Sequence, residues 1–553
     1  MVVGTAGQVR GKSMVAVIAG NGLGLDNSSL RALGQGLGGQ ATTGQGGVAQ
    51  YLNVANGNLT LQNADEGLIF DGLSLSALRT YNSQGQLTGS EGWLFGFSRS
   101  VSGLTGTLDA AGSTITRTGD DGSTVTYAYD ATRGLYVSQD QSGAEDTLDW
   151  NATTSTWTWA DSADSQQETY DASGQLTSLS DTRSGARYSF SYSGGRLSTI
   201  TAGDGDTLTF GYNTANQLVT LSIAEIPPGQ TTAVTRQQVA YAYDAQGRLS
   251  TVTTTLDSDT AASAAQYLTT YTYDGTSDRV ASVSQSDGTV VSYTYAADAN
   301  GTYRLATITT GSGAAASTLT LDYDLATDTT TVTNALGQTW SYTYNAAGQL
   351  SAVTAPSVDG NAPATTYQYD SHGNLQQAMD ADGGITAYTY DARGNRLSAE
   401  DATGHTVGYT YSATDRLLSQ TVYTIPAQGL AGQPGYVPPD GAQTTYYVYD
   451  ASDRLSYVID PLGDVTEHDY TTSNGLSLLG STRQYGVSYS VAALSPTTPP
   501  SLTDLQDWVA STPVQSTLNQ GVRIDYTYDP LGRGQLATQT QWATLDSTGA
   551  GVL

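Results

Sequence analysis

The stretch ITAYTYDARGNRLSAEDATGHTVGYTY, from Ile385 to Tyr411, decides the fold. Tyr388 and Tyr390 lie two residues apart, so in a strand both point to one face. Asp391-Ala392-Arg393-Gly394 then turns the chain. Asp accepts hydrogen bonds from backbone amides two residues on, and Gly takes the positive φ that the turn needs. A second strand, Arg396 to Glu400, returns; Asp401 to Gly404 turns again, and the next Tyr-x-Tyr strand begins. Two strands and two turns in about 21 residues make a β-hairpin unit with no room for a helix.

The phrase recurs as YAYDAQGRL (Tyr241 to Leu249), YTYNAAGQL (Tyr342 to Leu350), YQYDSHGNL (Tyr367 to Leu375), YTYDARGNRL (Tyr388 to Leu397), YVYDASDRL (Tyr447 to Leu455) and YTYDPLGR (Tyr526 to Arg533). From Tyr323 through Tyr344, Tyr369 and Tyr390 to Tyr411 the steps are 21, 25, 21 and 21 residues. Units of this kind lean on their neighbours. Side-by-side stacking places tyrosine pairs in register, where ring ladders add about 0.5–1.5 kcal/mol per pair. A long antiparallel sheet twists and must coil. The expected fold is all-β: one long antiparallel sheet of stacked hairpins, spiralling into a shell or partial barrel.

Two regions are expected. Residues 1–105 are glycine-rich and carry hairpins that lead into the repeats. Residues 106–553 are the repeat array, degenerate to about 240, regular from about 240 to 475, and closing with a last repeat at 525–533. In the first region AGNGLGLDNSSL (Ala19 to Leu30) reads as coil, because neither Lys-Ser/Thr nor a helical pattern follows. Asn56-Gly57 marks a hairpin, and Leu73 to Gly85 and Glu91 to Val101 read as two strands joined by a loop. Pro/Gly-rich insertions at 225–238, 354–366 and 424–445 read as surface loops. At about 501–511 a short helix is expected, capped by Thr503, with Leu502, Leu505, Trp508 and Val509 as its apolar face.

The formal net charge is −30 with only 13% charged residues, which disfavours nucleic acid and anionic membranes as partners. There is no cysteine, hence no disulfide or thiolate metal site. No run reaches the ~18 apolar residues of a membrane span. Ser13 to Gly20 follows Arg10 and Lys12 as a signal peptide would, but its length suits a strand.

Chemistry is sparse. Of three histidines, His372 and His405 fall in turns, and His468 sits between Glu467 and Asp469 on an expected strand, where adjacent side chains diverge and cannot share one ion. Asp120-Asp121 and Asp380/Asp382 invite glycosidase or calcium readings, yet the latter pair occupies the repeat's second turn. No Ser-His-Asp set and no G-x-S-x-G elbow occurs. No catalytic residue, metal ligand or cofactor is therefore expected, and the chain reads as non-enzymatic.

The motif Y-x-Y-D-x-x-G-x-L at this spacing resembles the YD repeat of the RHS (rearrangement hotspot) proteins, a group that includes the C components of insecticidal toxin complexes and the teneurin shells. The resemblance runs from about Thr116 to Leu553, and Tyr51 to Gly85 resembles the lead-in of large bacterial members. It implies a β-sheet wound into a hollow shell around the chain's own or an associated C-terminal toxin. Export or surface display in bacteria, and a role in interbacterial competition, are implied too. Asp460 to Asp464 and Asp529 to Arg533 are ordinary repeat turns, and no closing Asp-Pro-x-Gly-Leu element is present, so an N-terminal fragment lacking the core end and toxin is expected. The alternative expectation is a surface adhesin whose tyrosine-rich faces bind glycans or proteins.

Overall fold

The computed structural model of the chain describes residues 15–26, 28–34, 36–37, 41–70, 73–85, 93–139, 146–161, 165–227, 230–255, 266–429, 435–473, 475–529 and 534–552. The turn expected at 530–533 and parts of the insertions at 225–238 and 424–445 lie outside them.

The hairpin unit forms as its spacing requires. Strands Ile385–Tyr390, Arg396–Glu400 and Thr406–Tyr411 pair antiparallel in succession. Asp391 Oδ1 accepts the amides of Arg393 and Asn395, each at 2.9 Å, and Gly394 closes the turn at φ 87°. In YVYDASDRL the glycine slot is held by Asp453 at φ 58°, a conformation that Asp tolerates better than most residues.

A β-bulge between Thr389 and Tyr390 sets which residues face inward. In other units the second tyrosine stands opposite the leucine, as Tyr243 does Leu249 and Tyr369 does Leu375. In the unit YTYDARGNRL the turn has the same length but the leucine comes one residue later, so Arg396 stands in its place opposite Tyr390. Leu397, expected there from the motif, is displaced and 37% exposed. Arg396 instead lays its guanidinium over Tyr409, 5.3 Å from the ring centroid. A one-residue slip exchanges the faces.

Lateral cohesion is not the expected ring ladder. The second tyrosine of a unit donates its hydroxyl to a backbone carbonyl of the unit before: Tyr243 to Leu218 at 2.7 Å, Tyr273 to Leu249 at 2.6 Å, Tyr369 to Leu350 at 2.9 Å, Tyr390 to Leu375 at 2.9 Å and Tyr470 to Leu455 at 3.0 Å. The residue before the accepting carbonyl is often arginine, stacked on the same ring: Arg248 over Tyr273 at 4.5 Å, Arg304 over Tyr323 at 5.4 Å, Arg454 over Tyr470 at 4.7 Å. The turn aspartate holds that guanidinium in place, Arg248 Nε lying 2.8 Å from Asp244 Oδ2. Burial works against the ionised Asp244, but Arg248 and the backbone amides outweigh it and keep the carboxyl below its usual range. Among the described residues, ring-on-ring pairs gather elsewhere, as at Tyr81–Trp93 and Tyr136–Trp157.

Burial pushes the half-buried Tyr390 hydroxyl up to about 12, so it stays a donor at every physiological pH. Tyr390→Phe should therefore remove one such staple and lower stability by about 0.5–1.5 kcal/mol. Hydrogen exchange of the strands Leu375–Met379 and Arg396–Glu400 would register it first.

The chain builds two bodies from these rules. The first is a six-stranded sheet: β1 (Ala16–Ile18), β2 (Thr42–Thr43), β3 (Val48–Asn53), β4 (Leu59–Phe70), β5 (Leu73–Asn82) and β6 (Trp93–Phe95). The hairpin expected at Asn56-Gly57 joins β3 to β4 through residues 54–57. The glycine-rich run before it is coil, followed by a single helical turn α1 (Ser29–Leu33) capped by Ser28. The second body is the wall. From β7 (Ser100–Thr105) to the strand Leu536–Trp542, each strand pairs antiparallel with its neighbours in sequence.

The wall winds. Ser100 bridges to Gln175 and the Val101 amide donates to the Gly174 carbonyl at 3.1 Å, with six strands between these contacts. The Ser477 amide donates to the Ser184 carbonyl at 2.7 Å, and 23 strands lie between those. At about 4.8 Å per strand, the perimeters are about 30 Å and about 110 Å, a narrow winding opening into one about 35 Å across. Gly174 (φ 82°) seats the narrow winding, for a Cβ there would stand 1.8 Å from the Val101 carbonyl oxygen.

Candidate functional site

The first body sits inside the wide winding. Its residues touch the wall at Asp121 (Leu25 amide, 2.5 Å), Phe210 (Phe97 ring, 4.5 Å), Tyr241, Tyr271, Tyr293 (Gln50, 2.6 Å), Thr330 (Val54 carbonyl, 2.6 Å) and Ala346 (Asn21, 3.3 Å). A body of about 80 residues is about 30 Å across, while the wall strands it touches would extend well beyond that if laid flat. The sheet reaches all of these contacts by curling around it. Residues 15–97 are a plug, and the wall face that they meet is the inner face.

Two buried ion clusters fasten it. Asp65 and Arg79, on β4 and β5, pair at 2.8 Å; Arg79 donates to the Tyr271 hydroxyl at 2.6 Å, and Tyr241 donates to Asp65 at 2.9 Å. Arg99, on the segment leading from plug to wall, meets Glu168 at 2.5 Å and Asp120 at 2.8 Å. Arg117 meets Glu168 at 2.8 Å and lies 3.9 Å over the Trp159 ring. Burial alone would raise the Glu168 carboxyl, but the two guanidiniums prevail and hold it at about 2.

The plug leaves part of the inner face uncovered. Beneath it Tyr241, Tyr271 and Tyr293 are buried, whereas Tyr388, Tyr409 and Tyr447, at equivalent positions further along, are half-buried. Strand alternation and register set Thr386, Arg396, Val407, Gln420, Thr445, Thr466 and His468 beside these tyrosines. The set contains no carboxylate, in a chain with 51 acidic residues. The aspartates go to the turns, where Asp380 and Asp401 accept their own loops' amides.

A helical insert covers the opposite, outer face. Helix α2 (Leu502–Ala510) is capped by Ser501, not by Thr503, because Ser501 and Asp504 form a reciprocal capping box. Its Leu505 is buried and Leu502, Trp508 and Val509 pack beside it, with Val514 of α3 (Thr512–Gln515), on Tyr446, Val448, Tyr457, Ile459 and Val465.

The residues that sequence reasoning weighed for chemistry are spread apart. His372 and His405 are exposed in turns. Glu467 lies on the outer face, accepting the hydroxyls of Tyr457 (2.8 Å) and Tyr485 (2.6 Å), while its neighbour His468 points inward and is kept neutral by burial. Asp121 spends both oxygens on Leu25, Asp26 and Ser123, and Asp120 pairs with Arg99. Among the described residues no three His, Asp or Glu side chains gather as metal ligands, and no helix is long and apolar enough to cross a membrane. The plug's role was the feature sequence reasoning missed; an acid and an arginine, Asp65 and Arg79, on two successive strands were its signal.

The RHS Repeat family model matches three segments, residues 170–207, 323–357 and 369–406. No curated protein matches the chain. Among solved structures the chain is similar to a TcdB2-TccC3-Cdc42 crystal structure, at 12% identity and TM-score 0.38, over 88% of this chain and 27% of that one. TcdB2-TccC3 without its hypervariable C-terminal region follows at 13% and 0.37, over 88% and 27%. A Tc holotoxin pore of Photorhabdus luminescens follows at 11% and 0.28, over 79% and 26%. The chain spans about a quarter of the length of these solved chains.

Proposed function

From the premise that this chain is an RHS-repeat protein, we propose that it is a non-enzymatic shell segment whose uncovered inner face surrounds a polypeptide cargo. The cargo is a toxin carried by the same or an associated chain, and the protein acts outside the bacterium that makes it, secreted or displayed at its surface. The observation that supports this most is the division of the inner face: one part sealed by the plug, the other left open, tyrosine-lined and free of carboxylates. Such a face offers hydroxyls and ring surfaces with no negative charge, which suits a chain held loosely.

A photo-crosslinking residue placed at Tyr409 (inner face), and separately at Thr389 (outer face), tests it in the protein as its own cells make it. Crosslinks from 409 to a protease-protected polypeptide, with none from 389, are expected. Equal crosslinking from both faces would overturn the proposal. So would retention on a glycan array that Tyr409→Ala abolishes, the outcome that an adhesin requires.

A further inference from the structure

Opposite the second tyrosine of a unit the wall places a buried leucine: Leu249 opposite Tyr243, Leu350 opposite Tyr344 and Leu375 opposite Tyr369. Opposite Tyr390 that slot holds Arg396, which is exposed. Pairing sets it on the inner face with Tyr388 and Tyr390. Its guanidinium lies 5.8 Å from the Tyr388 ring centroid and 5.3 Å from that of Tyr409. Arg248, Arg304 and Arg454 also stack on tyrosines, but Asp244, Asp298 and Asp450 clamp them at 2.7, 2.9 and 2.5 Å. Here the turn carboxylates are taken: Asp391 accepts the Asn395 amide group at 3.0 Å, and Asp415 pairs with Arg393 at 3.0 Å. Among the described residues no carboxylate pairs with Arg396. Nor does its surface supply one. From the strand Ala364–Tyr369 to the strand Leu536–Trp542, the strand carboxylates Glu400, Asp440, Glu467, Asp469 and Asp525 all alternate to the outer face. His468, the other basic side chain on the inner strand positions there, is kept neutral by burial.

We propose that Arg396 is the anchor by which the inner face holds its cargo, and that the segment it holds is an acidic polypeptide stretch, with an aspartate or glutamate carboxylate against the guanidinium. The proposal rests on the reading that this face surrounds a polypeptide. Stacking against two rings orders the guanidinium without cancelling its charge. Its N–H edge stays clear, and that planar fork matches a carboxylate with two parallel hydrogen bonds. A basic segment would meet a like charge at Arg396 and find no acid on the inner strand positions to hold it. The chain's net charge of −30 does not reverse this preference. Its strand carboxylates lie beyond the sheet, about 10 Å thick with its side chains, while charges in physiological salt are screened over about 8 Å.

Short fluorescent peptides, rich in glutamate, glutamine or lysine, titrated onto the intact chain at physiological ionic strength, test the anchor. The glutamate-rich peptide should bind about tenfold more tightly than the glutamine-rich one. Arg396→Gln should erase that preference, and Arg396→Lys, which keeps the charge but not the fork, should keep part of it. Lysine-rich peptides, drawn to the acidic turns and outer face, should bind both variants as they bind the unmodified chain. In cells, polypeptide crosslinked from position 409 should map to stretches rich in aspartate and glutamate, and Arg396→Gln should lower its yield severalfold. A glutamate preference that is absent, or that survives Arg396→Gln, overturns the proposal. Crosslinks that map to basic stretches, or that Arg396→Gln leaves undiminished, overturn it too while leaving the cargo reading in place. If position 409 captures no polypeptide, the cargo reading falls, and the peptide titration alone decides whether Arg396 holds carboxylates.

Discussion

Glu168→Gln is expected to lower stability by about 3–5 kcal/mol, among the largest effects any single conservative change should have on this chain. Arg99 and Arg117 both converge on Glu168, with Nη1 and Nε at 2.5 and 2.8 Å, and the glutamate is fully buried. An amide of the same size fills the space but takes the carboxylate from Arg117 and leaves Arg99 with Asp120 alone. The cost is the uncompensated burial, not the loss of one contact. A denaturant titration at pH 7 measures it. Since the folded carboxyl sits at about 2, the gap between variant and parent should persist down to about pH 4 and close below it. A gap of less than 1 kcal/mol at neutral pH would show that water reaches the cluster.

Arg79→Leu should be nearly as damaging, and its partner change distinguishes the cause. Removing the guanidinium leaves Asp65 in a site 2% exposed, with the Tyr241 hydroxyl as its remaining hydrogen bond among the contacts described above. A loss of about 3–5 kcal/mol is expected for Arg79→Leu and a similar one for Asp65→Leu. Together the two changes should cost clearly less than their sum, because neither charge is then left alone. A double-mutant cycle, followed by hydrogen exchange of β4 and β5, reads the coupling. Additive losses would mean that the pair does not hold the plug.

The hairpin unit was legible because it is local. A spacing of two puts Tyr388 and Tyr390 on one face, and Asp391 with Gly394 closes a turn within five residues. Those same rules put Asp380 in its own turn, where it accepts the amides of Asp382 and Gly384. What escaped depends on register or on distance along the chain. Leu397 matches the motif, yet it follows an unchanged turn one residue too late, and Arg396 takes its place. The second tyrosine's hydroxyl finds its acceptor 15 residues away at Tyr390 and 32 at Tyr449, across a pairing that only the sheet creates. Ser501 and Asp504 do spell a capping box, two residues before the Thr503 that the sequence reading takes as the cap. The plug escaped for the plainest reason: Asp65 meets Tyr241 across 176 residues, and no periodicity within β4 announces that meeting.

Those separations also set an order of events during synthesis. The plug leaves the ribosome first, but its seat is finished late. Val54 waits 276 residues for Thr330, and Asn21 waits 325 for Ala346. At about 5–20 residues per second, the plug's apolar strands stay unsheltered for about 15–65 s. The wall itself has no such delay, since each hairpin docks on the one made just before it. The plug's apolar strands therefore stay exposed on the nascent chain while the wall that shelters them is made. Conditions that slow translation or withhold chaperones should lower its yield more than those of proteins built only from neighbouring contacts.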